Sequence, residues 1–230
     1  NMIIEKVAFQ NIKDYQATLK LIEKNKINCW INCARNSYAI YNKIKKIIDK
    51  NKKIKIHVKG NSWNLASNAI HFIDLFFLLS NRRNAIFFNK IYKTNIIIKS
   101  KRINYFEVRG LIKIFNDFGD EIILEDKDKN RKDLIININN HRNLFEINES
   151  ANILKLTKVT NDRKKISTIK FNTLYQSNFS KTCVSRISMK NNLKLPTIQE
   201  SYLSHKILLE VFKKQFEYSF KKKIINCPIS

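Results

Sequence analysis

Few side chains in this sequence could do chemistry, and their spacing does not assemble them. His57, His71, His141 and His205 lie in unrelated settings, and no two are spaced to share a metal ion or to serve one nucleophile. Cys29 and Cys33 form a C-x3-C pair that could supply half of a zinc site, with Cys183 and Cys227 as the other half. The second pair is widely separated and no histidine neighbours either, so four free thiols and no metal are expected. Glu107 and Asp74 are isolated acids in basic surroundings and suit salt bridges better than general-base work. The only glycines, Gly60, Gly110 and Gly119, are too far apart for a glycine-rich phosphate loop or a dinucleotide fingerprint. The expectation is therefore no enzyme, no cofactor and no small-molecule substrate.

Charge carries the positive signal. The 230 residues hold 44 Lys and Arg against 19 Asp and Glu, a net +25. Such an excess repels itself unless a polyanion compensates it, which makes nucleic acid the expected partner. Lys, Asn and Ile dominate while Gly and Pro are scarce, the mark of an AT-rich genome such as an organelle's. That bias inflates Lys, yet the acidic residues did not rise in step. The most apolar window, Leu65 to Leu79, is interrupted by Ser67, Asn68, His71 and Asp74 and is too short for a bilayer, so no membrane partner is expected. Without a secretory signal the cysteines point to a reducing interior. The opening Asn1-Met2 suggests an unconventional start or a trimmed leader, and an organellar product would be made in place or already processed.

The elements follow from periodicity. Asn11 and Asp14 have capping spacing ahead of a helix carrying Ile12, Tyr15, Leu19 and Ile22. A second helix is predicted from about Ala34 to Lys50. At Lys53 the period becomes alternating: Ile54, Ile56 and Val58 point one way, and Lys53, Lys55, His57 and Lys59 the other, which predicts a half-buried strand with a basic outer face. A helix from Trp63 to Leu79 follows, then a basic turn with Arg82 and Arg83. Strands are predicted at Ala85 to Phe88, Asn95 to Lys99, Tyr105 to Phe115 and Leu134 to Ile138. Strand, helix, strand, strand is the first part of a ferredoxin-like split βαβ unit, whose second helix would have to fall in Asp120 to Arg131, a weak helical candidate. Positions 141 to 195 are polar, with short strand-like stretches at Ile153 to Lys158 and Thr168 to Phe171 between basic turns, and read as an RNA-draping extension. Pro196, Thr197 and Glu200 form a capping box for a last helix with Leu208, Phe212, Phe216 and Phe220 on one stripe, which would dock on this chain or on a neighbour.

Lys53 to Phe115 resembles the small-subunit ribosomal protein S-ten family, especially its organellar forms. IKIHVKGNSW (Ile54 to Trp63) stands where that family has an alternating basic strand, NIIIKSK (Asn95 to Lys101) matches its next strand and FEVR (Phe106 to Arg109) its closing strand. The link KIYKT lacks the family's prolines and the loop from Ser100 to Phe106 is shorter. The resemblance implies an α+β fold with a ferredoxin-like sheet at 53–140. It would carry a helical N-terminal extension at 1–52 and a partly irregular C-terminal extension at 141–230 ending in a helix. It further implies a structural, rRNA-binding constituent of the small-subunit head, with rRNA and neighbouring ribosomal proteins as partners and the mitochondrial matrix as location. The resemblance carries over Lys55, His57, Lys59, Arg82, Arg83, Lys90, Lys93, Lys99 and Arg109 as RNA contacts, to which the basic strand face and the cations interleaved with aromatics add Lys53, Lys101 and Arg102. Leu208, Phe212, Phe216 and Phe220 would contact protein. The rival readings are a free Alba-like or KH-like nucleic-acid module, although KH's GXXG clamp is absent, and a protein-interaction scaffold.

Overall fold

The computed structural model describes residues 1–92, 95–127, 132–160, 163–173, 176–189 and 193–229. The chain opens with β1 (Met2–Ile4), α1 (Ile12–Lys24) and β2 (Cys29–Ile31), the two strands pairing in parallel. Asn11 caps α1 as its spacing predicts, its side chain accepting from the Asp14 amide. The second predicted helix is shorter than expected: a 3-10 turn at Ala34–Ser37 leads into α2 (Ala39–Ile47). Then come β3 (Lys55–Asn61), α3 (Leu65–Ser80), β4 (Phe87–Lys90), β5 (Ile96–Lys99) and β6 (Phe106–Asn116).

From here the structure departs from the ferredoxin-like expectation. Of the segment offered as a second helix, Glu121–Lys127 is strand β7, which pairs in parallel with β3 and antiparallel with β6, and positions 128–131 lie outside the described residues. On its other side β3 pairs antiparallel with β8 (Lys132–Asn140). The polar region read as an irregular extension continues the same sheet through β9 (Asn143–Asn148), β10 (Ile153–Thr160) and β11 (Arg163–Lys170). The result is one nine-stranded mixed sheet, ordered β11-β10-β9-β8-β3-β7-β6-β4, with β5 also on β6. A ferredoxin-like unit has four strands and a second helix after its third; here nine strands share the sheet, and among the described residues no helix lies between β4 and β11.

One face of this sheet is apolar and covered, the other wet. Ile54, Ile56, Val58, Ile122, Leu124 and Ile136 are all buried, in one core with residues of α3 and the C-terminal α5 (Ile198–Phe220). Thr197 and Glu200 make the predicted capping box of α5. Its stripe docks on this chain: Leu208, Phe212 and Phe216 are buried, and Phe220 packs edge-on against Phe106 at 5.1 Å. Between β11 and α5, α4 (Gln176–Ser188) forms a smaller cluster in which Phe179 and Cys183 are buried and Trp30 packs alongside. The four cysteines lie apart, as buried free thiols.

Strand β6 is long enough to serve β5 at one end and β4 at the other because it breaks at Gly110, whose φ is +133°. There the Asn95 side chain substitutes for a strand, accepting from the Leu111 amide at 2.8 Å and donating to the Leu111 carbonyl at 3.0 Å. A Cβ on Gly110 would lie 2.0 Å from Asn95 Oδ1 and would hold a backbone angle that L-residues avoid. Gly110→Ala is expected to lower the unfolding free energy by roughly 3 kcal/mol, read from the urea midpoint. A loss below about 0.5 kcal/mol would show that this bend does not need glycine.

Candidate active site

Helix α3 is apolar around most of its circumference, and Leu65 and Ala66 in its first turn are buried while Ser67 and Asn68 are half-buried. The unpaired amides of that turn need acceptors, and two strands supply them. Asp126 of β7 accepts from the Trp63 and Leu65 amides at 3.2 and 3.3 Å, and Glu107 of β6 accepts from Ala66 and Ser67 at 2.9 and 3.2 Å. Burial raises the pKa of both carboxyls, opposed by the amide bonds they accept. Glu107 and Asp126 therefore act as a clamp on the helix N-terminus.

Against this turn sits Lys6, from the loop after β1. Its ammonium donates to the Ser67 carbonyl at 2.7 Å and reaches Asn68 Oδ1 at 3.4 Å. Burial lowers the Lys6 pKa, while Glu107 partly restores it. One turn further along the same helix face stands His71, four residues after Ser67. Burial first, then the nearby charges of Arg35 and Lys6, hold His71 well below the usual histidine range, so it is neutral. Its buried Nδ1 has no hydrogen-bond partner among the described residues. An amine has three donors, of which two are assigned, and the neighbouring imidazole is neutral with one nitrogen unused. Both residues keep partial solvent exposure.

The surrounding shell is tied down. Arg35 makes a two-pronged ion pair with Glu149 at 2.6 and 2.9 Å and lies 4.2 Å over the Phe72 ring. Asp74 accepts from Asn36 at 2.8 Å and Ser204 at 3.2 Å, and burial lifts its pKa to about 6. His205 is pushed down to about 4 by burial; its Nδ1–H donates to the Ser201 carbonyl at 3.0 Å and its Nε2 accepts from the Ala8 amide at 3.3 Å. That bond anchors the loop that carries Lys6.

The residues singled out for RNA contact lie elsewhere. Lys55, His57 and Lys59 do alternate on the wet face of β3, but Lys55 pairs with Glu121 at 3.5 Å and His57 with Glu125 at 2.9 Å. Lys53 crosses Gly119. Arg82 pairs with buried Asp120 at 2.9 Å and stacks on Phe118, while Arg83 bonds the Glu200 carbonyl and lies over Phe77. Lys90 is 5.3 Å from the Tyr92 ring, Lys99 ends β5, Lys101 and Arg102 occupy the turn to β6, and Arg109 lies opposite Ile96. Lys93 lies outside the described residues. Among the histidines, His71 belongs to the site although its spacing gave no sign of it. Lys6 was missed, because only a 61-residue tertiary closure brings it to Ser67.

No protein-family model and no curated protein matches the sequence. Solved structures do match the fold. UDP-N-acetylglucosamine 3-dehydrogenase GnnA from Acidithiobacillus ferrooxidans shares 9% identity over 91% of this chain and 68% of its own, with a TM-score of 0.68. A super-repressor mutant of Gal80p from Saccharomyces cerevisiae shares 11% over 98% and 72%, also at 0.68. The dehydrogenase MviM from Clostridium difficile shares 13% over 90% and 69%, at 0.62. These likenesses establish the fold and overturn the S-ten resemblance. With it go the ribosomal role, the rRNA and ribosomal partners, the Alba-like and KH-like rivals, and the exclusion of an enzyme, since dehydrogenases are built on this fold.

The buried pair sets opposing pH dependences. Unfolded, His205 protonates near 6.5, but folded only near 4, so its contribution to stability is full above pH 6.5 and is lost as pH falls toward 4. Asp74 works in reverse: folded, it keeps its proton up to about 6 instead of 3.8, so its contribution is present at low pH and lost as pH rises through 6. Urea midpoints measured between pH 4 and 6.5 should show it. Asp74→Asn is expected to steepen the rise of stability with pH, and His205→Gln to flatten it, each by at most about 1.4 kcal/mol per pH unit. Identical slopes in the two variants would contradict these assignments.

Proposed function

We propose that this chain carries the substrate-handling site of a dehydrogenase-type oxidoreductase, in which Lys6 and His71 bind a hydroxyl or carbonyl oxygen of a polar small molecule and exchange a proton with it. The observation that carries this reading is the Lys6 ammonium seated on the Ser67 carbonyl at 2.7 Å, with His71 one helical turn further along α3, held toward its neutral form by burial and with no partner for its Nδ1 among the described residues. The fold shared with GnnA and MviM supports it, since both are dehydrogenases. Burial eases loss of the Lys6 proton, so the neutral amine can take a hydroxyl proton and the ammonium can return it to a carbonyl oxygen. Asn68 and the Ser67 carbonyl orient the amine, and His71 supplies the second contact to the substrate oxygen.

Dehydrogenases pass hydride to a nicotinamide or flavin cofactor, and a dinucleotide's phosphates are held by free amides at a glycine-rich helix N-terminus. The described residues do not fit that demand. The first amides of α3 are already bound to the Glu107 and Asp126 carboxylates, which would repel phosphate, and no glycine lies between β1 and α1. The chemistry derived for this chain is therefore limited to binding and proton transfer.

Calorimetric titration with a panel of hydroxy and keto sugars tests the proposal, alongside turnover with nicotinamide cofactors supplied in solution. At least one sugar is expected to bind, with affinity falling at least about tenfold in Lys6→Met and in His71→Asn, and any turnover falling about a hundredfold. Binding by wild type and both variants alike, or by none of them, would sink the assignment.

A further inference from the structure

A cavity of about 660 Å³ lies between the start of α1, the middle of α5 and the C-terminal tail, and uses none of the Lys6–His71 residues. Its volume falls within the roughly 300–1,000 Å³ of small-molecule sites. Lys206, Leu209, Glu210 and Lys213 reach it from one face of α5, at helical spacings of three, four and seven. The tail closes the opposite side and is pinned in place. The Cys227 amide donates to the Gln10 carbonyl at 2.8 Å, the Phe106 amide to the Pro228 carbonyl at 2.9 Å, and the Ile224 amide to Glu217 at 3.0 Å. The cavity is thus formed before anything enters it.

Its chemistry is two-sided. Ile12, Leu209, Ile224 and Ile225 give it apolar walls, and Ile225 is 79% exposed, an apolar side chain left in water next to a cavity. Around those walls stand four lysines, Lys13, Lys206, Lys213 and Lys223, against Asp14 and Glu210. Asp14 already accepts from the Asn11 side chain at 2.6 Å. A cationic rim over an apolar wall complements a ligand that is apolar along its body and negative at one end.

We propose that this cavity binds a free amphipathic anion, a hydrocarbon chain or ring bearing a carboxylate or phosphate head. The apolar body covers Ile225 and Leu209, and the head is held by the lysines of α5 and the tail.

Isothermal titration of the full chain with decanoate tests this. Saturable binding at one site is expected, with decanol and acetate, which carry the body or the head alone, at least about tenfold weaker. The double variant Lys206→Glu, Lys213→Glu should weaken decanoate at least about tenfold, and Ile225→Glu, at an exposed position, should do the same without disturbing the fold as checked by circular dichroism. Lys164→Glu with Lys165→Glu on β11, a change of equal charge elsewhere, should leave binding unaltered. Equal losses from both charge reversals would overturn the proposal, as would equal affinity for decanol. Association with anionic vesicles but no saturable decanoate binding would overturn it too.

Discussion

Helix α3 is enclosed by the sheet on one side and by α5 on the other, and the amides of Leu65 and Ala66 in its first turn are buried. A buried helix end with unpaired amides costs a few kcal/mol per group, so the fold must bring acceptors to it. Glu107 and Asp126 meet that need, and they can do so only if β6 and β7 run side by side beneath the helix. Asp126 is the inward residue of β7 opposite Gly60 of β3, which ties the clamp to the parallel pairing at the centre of the sheet. The same enclosure fixes the Ser67 carbonyl and the His71 ring where Lys6 finds them.

Electrostatics in this chain divides by neighbourhood. On the wet face, β7 places Glu121 and Glu125 across from the basic residues of β3. Although burial alone would raise them, both carboxyls are held below the usual range by Lys113, Lys55, Lys127 and His57. Lys55 and His57, which look unopposed along the sequence, are thus matched across strands. Inside the helical layer burial governs instead: it lowers Lys6, His71 and His205 and raises Asp74 and Glu107. Groups in that layer sit nearer neutrality, the condition proton transfer requires.

The fold is common to dehydrogenases and to Gal80p, whose Kluyveromyces lactis form is a transcriptional regulator, so fold alone assigns no chemistry. Chemistry in this chain would have to come from particular atoms: an anchored amine, an imidazole with one nitrogen unpartnered among the described residues, and helix amides already bound to carboxylates. The cavity beside α5 is built on a different principle, shape and charge complementarity without titrating groups held off their ordinary values at its centre.

Local pattern determined a good deal. The capping pairs Asn11–Asp14 and Thr197–Glu200, the alternation of Ile54, Ile56 and Val58, and the apolar run of α3 each encode their element within a few neighbouring residues, and each was legible as such. Strand β7 was not, because its inward Asp126 breaks the apolar alternation in order to serve a helix about sixty positions earlier. Missing β7 removed both the parallel partner of β3 and the acids facing its lysines, which left a short strand-helix-strand order compatible with S-ten and a basic face that seemed to want RNA. The polar stretch after position 140 misled for a related reason, since strands with one wet face carry as many polar as apolar residues. Strand order, the meeting of Lys6 with α3 and the closing of the cavity by the tail are contacts between distant segments. Only the tertiary structure decides these, because no local preference records which surfaces will be buried together.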